Sequence, residues 1–351
     1  MIVNAAATLT ALGGSIMPAP VVAAMLHAAQ SWVDLPHAYD EAGARIAALT
    51  GNEAAAVTTG AAAGLTLTVA SLLTGPEPPS LEVFPLVQPR HLVMFRGQRN
   101  GYDYAMRLLG VRIDDVAHDE MALDRALASD PLAVVWFAGT QYPVTEVSLQ
   151  RVIERAHAGN VPVIVDAAAQ IPPVASMWDF TRGLGADVVV FSGGKGLGGP
   201  QDSGLVLGRR DIVRGVRAHA APHQGIGRGM KVTKESLAGI VAAVEHALSI
   251  DEPAVLARYE SVVTAWIDQA RAAGLPADRG FPSEAGQPHS RALVGLGSVT
   301  RATEVRDAMW RQEPRVAVLV AGSAVALNPQ PVRPGEEDVV IAALLRACDI
   351  M

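Results

Sequence analysis

Short apolar runs that alternate with helix-like stretches constrain this chain most. Leu92–Phe95, Val111–Val116, Ala133–Phe137, Val161–Val165 and Val188–Phe191 read as strands. Helices fit Tyr102–Leu109, Met121–Ala128 and Leu149–Ala158. Mostly apolar strands between helices suggest a parallel sheet covered by helices on both faces. Ligands of such sheets gather at the carboxyl ends of the strands. The residues just after each run are therefore the ones that can converge on a site.

One such end is Ala186–Gly199, reading Ala-Asp-Val-Val-Val-Phe-Ser-Gly-Gly-Lys-Gly-Leu-Gly-Gly. A buried strand runs into a tight turn that carries Lys195. Glycines 193, 194, 196, 198 and 199 let the backbone pass close to a ligand with no Cβ in the way. A lysine on such a turn suits an amine that must reach a carbonyl carbon, as a Schiff-base lysine carrying pyridoxal phosphate does. The turn is not a Walker A loop, because Gly, not Ser or Thr, follows Lys195. The plainer reading is a glycine-rich connection with a solvated lysine.

A second end is Val161-Pro162-Val163-Ile164-Val165-Asp166-Ala167-Ala168-Ala169-Gln170. A carboxylate directly after a buried strand is costly unless paired. Asp166 suits the protonated pyridine nitrogen of the same cofactor, with Ala168 as a small flat contact beneath the ring. Alternatively, Asp166 caps the next helix or pairs with an arginine. A third end follows the strand Ala54–Val57: Thr58-Thr59-Gly60-Ala61-Ala62-Ala63-Gly64 opens a helix that runs to about Leu73. Free N–H groups and the helix dipole make an anion site there. A helix cap by Thr58 or Thr59 is the simpler account.

The remaining stretches are less specific. Residues 1–17 read as extended with a break at Gly13-Gly14-Ser15; helices are expected from Pro20 to about Ala29 and over Asp40–Leu49, with Gly51 as a stop. Thr8, Thr10 and Ser15 of this arm either pack or line a site. Pro76–Pro85 reads as a loop, Gly204–Leu207 as a hairpin-like return and Asp211–Ala218 as a helix. His219 and His223 follow without a carboxylate at ligand spacing, so no metal site is expected. The basic loop Gly225-Ile226-Gly227-Arg228-Gly229-Met230-Lys231 puts Arg228 and Lys231 where they grip a phosphate or carboxylate, or are simply solvated. Helices over Glu235–Leu248 and Ala254–Ala273 flank a hinge at Ser249–Pro253. Strands at Ala292–Leu296, Val316–Val320 and Ala324–Leu327, with helices at Ala302–Trp310 and Glu337–Ala347, make a small α+β layer. The expected division is an arm over 1–50, a large domain over 51–248 and a small C-terminal domain over 249–351.

A net charge of −7 over 351 residues argues against a broad nucleic-acid surface. The single cysteine, Cys348, excludes an intrachain disulfide and fits a reducing, cytoplasmic compartment. No basic n-region precedes an apolar stretch at the start, and no apolar run is long enough to span a membrane.

Together the Asp166 and Lys195 motifs, with Thr59-Gly60-Ala61-Ala62-Ala63 and Gly227-Arg228-Gly229-Met230-Lys231-Val232, resemble the selenocysteine synthase-like branch of the pyridoxal-phosphate enzymes. That branch has the aspartate aminotransferase fold, the type I fold of these enzymes: a mainly parallel sheet with helices on both faces and a small C-terminal α+β domain. The resemblance implies that Lys195 carries the cofactor and Asp166 pairs with its pyridine nitrogen. It implies Ala168 against the ring, and Gly60, Ala61 and Ala62 on the phosphate with help from Ser192. Gln141 would lie near the ring, and Arg228 on the phosphate or the substrate.

The family includes a selenium transferase acting on seryl-tRNA and lyases acting on small amino acids. The arm begins almost at Met1 and the charge is negative, so a small substrate is expected. Departures stand at Ala7, where relatives often have glycine, and at Asp202 after Gly199-Pro200-Gln201. The expected activity is elimination of a β-hydroxy amino acid, or an amino sugar acid, to a keto acid and ammonia. Aminotransfer, racemisation and selenium transfer are the enzymatic alternatives, and a cofactor-free binding protein the non-enzymatic one. A homodimer is expected because sites in this fold are commonly shared between subunits.

Overall fold

In the computed structural model, which describes residues 1–76, 84, 86–139, 142 and 147–349, the apolar runs lie side by side. The strands in chain order are β1 (Ile2–Asn4), β2 (Ala54–Thr58), β3 (His91–Phe95), β4 (Arg112–Val116), β5 (Ala133–Phe137), β6 (Val163–Asp166), β7 (Val188–Ser192), β8 (Gly204–Gly208), β9 (Ala277–Gly280), β10 (Arg291–Gly295), β11 (Arg315–Ala317), β12 (Leu319–Ala321) and β13 (Ala324–Leu327). The helices are α1 (Ala19–Ala29), α2 (Leu35–Thr50), α3 (Ala61–Thr74), α4 (Tyr104–Arg107), α5 (Glu120–Leu127), α6 (Leu149–Ala158), α7 (Ser176–Trp178), α8 (Arg210–His219), α9 (Lys234–Ser249), α10 (Glu252–Ala272), α11 (Val299–Arg311) and α12 (Glu337–Ala347).

One compact unit comprises residues 17–249. Its seven-stranded sheet has the order β2-β8-β7-β6-β5-β3-β4. All neighbours are parallel except β8, which runs antiparallel to both β7 and β2. Successive side chains of a strand point to opposite faces, and here both faces are covered. Val163 and Val165 of β6, with Val189 and Phe191 of β7, pack on the face that holds Ile46 of α2, Val152 of α6 and Ile240 of α9. Ile164, Val188 and Val190 pack on the other face with Leu67 of α3 and Val216 of α8. This two-sided burial is why the runs carry no polar alternation.

The second unit comprises residues 1–16 and 250–351. It holds a four-stranded antiparallel sheet, β12-β13-β10-β9, and the parallel pair β1–β11. Trp266 of α10, Val305 of α11 and Leu344 of α12 fill its core. The expected arm over 1–50 is divided between the units: residues 1–16 join the C-terminal residues, while α1 and α2 belong with the large sheet. Strand β1 explains the division, since Ile2–Asn4 find their pairing partners at Arg315–Ala317.

Several elements differ locally from expectation. Helix α2 begins at Leu35, because the Asp34 carboxylate accepts the His37 N–H and Pro36 sits in the first turn. The helix expected over Tyr102–Leu109 shrinks to α4 behind a 3-10 turn at Gly101–Asp103. The single strand expected over Val316–Val320 is two, β11 and β12, which pair with β1 and β13 respectively. Strand β9 was unexpected; its Asp278 and Arg279 are exposed on a sheet edge. The loop expected over Pro76–Pro85 lies mostly outside the described residues.

Candidate active site

The chemistry begins where β6 ends. Asp166 pairs in register with Phe137 of β5 and Val190 of β7 and is 7% exposed. Its Oδ1 accepts the Ala168 N–H at 2.9 Å. Burial pushes this carboxyl up to about 6, while the Ala168 N–H and the Lys195 charge pull the other way. Among the described residues no arginine pairs with Asp166, and its side chain caps no helix. Burial of Val163, Ile164 and Val165 contributes about 1.5–3 kcal/mol each. That exceeds the roughly 3 kcal/mol needed to keep the Asp166 carboxylate ionised, so the strand can carry it.

The adjacent strand β7 delivers Lys195 on the turn after Ser192. The Lys195 carbonyl accepts the Gly198 N–H at 2.9 Å. Burial lowers the Lys195 amine below the usual lysine value, against the pull of the Asp166 carboxylate. A carboxylate and an amine 29 positions apart are thus electrostatic neighbours at the carboxyl edge of the sheet. Ser192, at the end of β7, is half-buried, its N–H donating to the Ala168 carbonyl at 3.4 Å.

Two glycines of this turn also serve the protein's own packing. A Cβ on Gly196 would lie 1.8 Å from the Ile171 carbonyl oxygen, and one on Gly193 would lie 2.1 Å from Ser203 Oγ. These glycines let the turn close on the protein's own chain. Asp202, the departure noted after Gln201, accepts the Ser236 hydroxyl at 2.8 Å and so ties the turn's far end to α9.

The start of α3 completes the group. Gly60 occupies the N-cap with φ 88° and ψ 167°, a glycine conformation, and no side chain caps the helix. Thr58 does not cap it as expected; its hydroxyl donates to the Gly60 carbonyl at 3.0 Å. The Gly64 N–H makes the first helical bond, to Gly60, which leaves the preceding N–H groups without intrahelical acceptors. Gly204 of β8 pairs with both Thr58 and Ser192. A Cβ there would meet the Gly60 carbonyl carbon at 2.5 Å, so Gly204 is what lets the α3 start lie beside the end of β7.

Arg228 and Lys231 lie on a loop anchored by the Gly227 N–H to the His219 carbonyl at 2.9 Å. Gly227 rests on Leu67 of α3, the helix of the uncapped N-terminus. Arg228 is half-buried and Lys231 exposed, and neither makes an ion pair among the described residues. Thr8 belongs to the unit of residues 1–16 and 250–351, whereas Asp166 and Lys195 belong to the other. Gln141 lies outside the described residues. His219 is a packing residue, fully buried with Nε2 2.9 Å from Thr74 Oγ1. Among the described residues no cluster of three or more metal-ligating side chains occurs.

Two polar residues escaped the sequence reading. Asp187, buried at the start of β7, meets His157 Nε2 at 2.9 Å, accepts Arg209 Nη1 at 2.8 Å and accepts the Val163 N–H at 2.7 Å. It locks the far end of the sheet. Gln98, buried after β3, bonds the backbone of Phe137. A lone acid or amide next to an apolar run is the only local signal for either.

No protein-family model matches the chain. It is 34% identical over 268 residues, 72% of its length, to a 5'-C-glycyluridine monooxygenase-decarboxylase of Streptomyces sp; the match spans 64% of that protein. It is 30% identical over 259 residues, 70% of its length, to a D-glucosaminate-6-phosphate ammonia lyase of Salmonella typhimurium (strain 14028s / SGSC 2262), spanning 67% of it. An L-seryl-tRNA(Sec) selenium transferase of Moorella thermoacetica is 24% identical over 97% of this chain and 79% of its own. A solved D-glucosaminate-6-phosphate ammonia-lyase superposes with a TM-score of 0.82 at 27% identity, covering 99% of this chain and 95% of that one.

The fold and site are those of a type I pyridoxal-phosphate enzyme. The chain belongs to the selenocysteine synthase-like family of these enzymes. Its residues fit that family's cofactor: a half-buried lysine, a buried carboxylate that its charge reaches and a helix start with no side-chain cap.

Proposed function

We propose that the chain is a lyase that converts a small β-hydroxy-α-amino acid, or an amino sugar acid, to an α-keto acid and ammonia. The observation that carries this reading is the charge interaction of Asp166 with Lys195 near the uncapped start of α3. Bound pyridoxal phosphate supplies an electron sink for charge developing at the substrate α-carbon. The Lys195 amine, made easier to deprotonate by burial, would hold the cofactor and serve as the base for the substrate α-proton. The Asp166 carboxylate would hold the pyridine nitrogen in its protonated form, and Ala168 would be a small contact for the ring. The N–H groups of Gly60, Ala61 and Ala62 would hold the phosphate together with Ser192. Arg228 and Lys231 would hold the substrate's anionic groups. Net, the substrate loses its β-hydroxyl as water and its amino group as ammonia, regains one water and leaves as the keto acid.

The ammonia lyase in the comparisons supports this substrate class, since a glucosaminate is an amino sugar acid. The 34% identity to a monooxygenase-decarboxylase favours a second reading, oxidative decarboxylation of a related amino acid. Exposed apolar Val22, Leu26 and Trp32 support self-association, with a homodimer as the simplest form. A cytoplasmic location is supported by the single, half-buried Cys348. Among the described residues no helix is long and apolar enough to cross a membrane.

The test is an absorption spectrum of purified protein with added pyridoxal phosphate, before and after borohydride, with peptide mapping. A visible band that borohydride removes, with the label on Lys195 and loss of both in Lys195→Ala, is the expected result. No band and no label would overturn the cofactor assignment. With candidate β-hydroxy amino acids, release of ammonia and keto acid without oxygen uptake supports elimination. Oxygen uptake with carbon dioxide release supports the second reading.

A further inference from the structure

We propose that Gln98 is a positioning residue for this site, its side-chain amide replacing a missing rung of the sheet between β3 and β5. The inference rests on the cofactor reading above. Strand β3 pairs with β4 along its whole length, His91–Phe95. With β5 it pairs only at Leu92–Ala133 and Val93–Val134. Beyond that point the β3–β5 ladder stops, on the side where the site lies.

Strand β5 continues to Phe137, and its pairing with β6 continues as well. The Val134 N–H donates to Pro162 and the Ala138 N–H donates to Asp166, at 2.9 and 2.8 Å, both toward β6. Phe137, at an odd position between them, therefore turns its N–H and C=O toward β3. Phe137 is 2% exposed, and backbone groups left unpaired there would be costly. Gln98 supplies both partners. Its Oε1 accepts the Phe137 N–H at 3.2 Å, and its Nε2 donates to the Phe137 carbonyl at 3.3 Å. A primary amide has the donor and acceptor of a peptide group, but it sits at the end of a side chain. The two strand ends are thus bonded while remaining apart.

Both sides of this clamp lead to functional segments. The Gln98 carbonyl accepts Asn100 Nδ2 at 2.8 Å, and Asn100 Oδ1 accepts the Tyr102 N–H at 2.7 Å, which fixes the loop after β3. On the other side Ala138 donates to the Asp166 carbonyl, and the Ala138 carbonyl accepts Gln170 Nε2 at 3.2 Å. A chain of hydrogen bonds and peptide groups therefore runs from the loop after β3, through Gln98, Phe137 and Ala138, to the backbone of Asp166. Without the Gln98 amide, β3 closes on β5 or Phe137 loses its partners. Either event moves Ala138, and Asp166 with it.

Two variants test this. Gln98→Met keeps the length and removes both bonds. Gln98→Glu keeps the shape: protonated, its carboxyl both donates and accepts, whereas ionised it can only accept. Each is measured by amide hydrogen exchange of cofactor-free protein at Phe137 and Ala138. Each is also titrated with pyridoxal phosphate, followed by visible absorbance and circular dichroism. Expected are a tenfold or greater rise in Phe137 exchange and a tenfold or greater loss of cofactor affinity in Gln98→Met, with far-ultraviolet circular dichroism retained. Gln98→Glu should approach wild-type affinity as pH falls toward 5 and lose it as pH rises toward 8, each compared with wild type at the same pH. Wild-type affinity and visible dichroism in Gln98→Met would overturn the proposal. If that variant does not fold, a Gln98→Glu to wild-type affinity ratio constant with pH overturns it instead. Wild-type protein that takes up no cofactor refutes the cofactor reading, and the exchange measurement then tests the clamp alone.

Discussion

Replacing the Asp166 carboxylate by a neutral amide separates what the site costs the fold from what it does. The carboxyl titrates near 6 in the folded protein, net of the Ala168 N–H and the Lys195 charge, because it is buried at the end of β6. In the unfolded chain it titrates near 4. A difference of about 2 pK units at about 1.4 kcal/mol each puts the cost of ionising it at about 3 kcal/mol. The sign follows from proton binding. Between pH 4 and 6 the folded state holds a proton that the unfolded state has released, so stability falls as pH rises through that window. Below pH 4 the carboxyl is protonated in both states and the cost vanishes. The amide of the Asp166→Asn variant would keep an oxygen for the Ala168 N–H and remove the charge. Chemical denaturation of cofactor-free protein should therefore give equal stabilities near pH 4. At pH 7 to 8 Asp166→Asn should be more stable by up to about 3 kcal/mol. With cofactor added at about 100 times its dissociation constant the variant's lead should nearly vanish: wild type gains about 2.7 kcal/mol, and the variant gains far less. A variant less stable than wild type at pH 8, or a stability difference that does not change with pH, would refute the reasoning.

Two further outcomes are expected. Gly196→Ala should lower the melting temperature and weaken cofactor uptake, because its Cβ would lie 1.8 Å from the Ile171 carbonyl; overpacking of this kind costs about 1–3 kcal/mol or more. An unchanged melting temperature would mean that the turn can move away from Ile171. Arg228→Ala should leave stability within about 0.5 kcal/mol, since no ion pair is broken. If Arg228 holds the substrate, KM should rise tenfold or more with kcat and the cofactor band little changed. An unchanged KM removes Arg228 from the substrate side.

What the sequence determined by itself was the strands of the large sheet that flank the site, with the acid and the lysine that follow two of them. Val163–Val165 and Val188–Phe191 are apolar without alternation, and only a sheet covered on both faces buries such runs. An acid directly after one run and a lysine just after the next can be read because each is local to its strand end. The tertiary structure decided what depends on pairing across distance. Which strand neighbours which placed Asp166 beside Lys195, and Gly204 beside Gly60, although these pairs are far apart in the chain. The role of Gly196 is not legible locally because Ile171, the residue it makes room for, is 25 positions away. The division of Val316–Val320 into β11 and β12 depends on β1 and β13, which no local pattern contains. Gln98 is invisible for the same reason, since its partner is the backbone of Phe137 and any side chain has a backbone. Apolar periodicity is written locally and survives into the fold. A hydrogen bond between a side chain and a distant peptide group exists only once the sheet has brought them together.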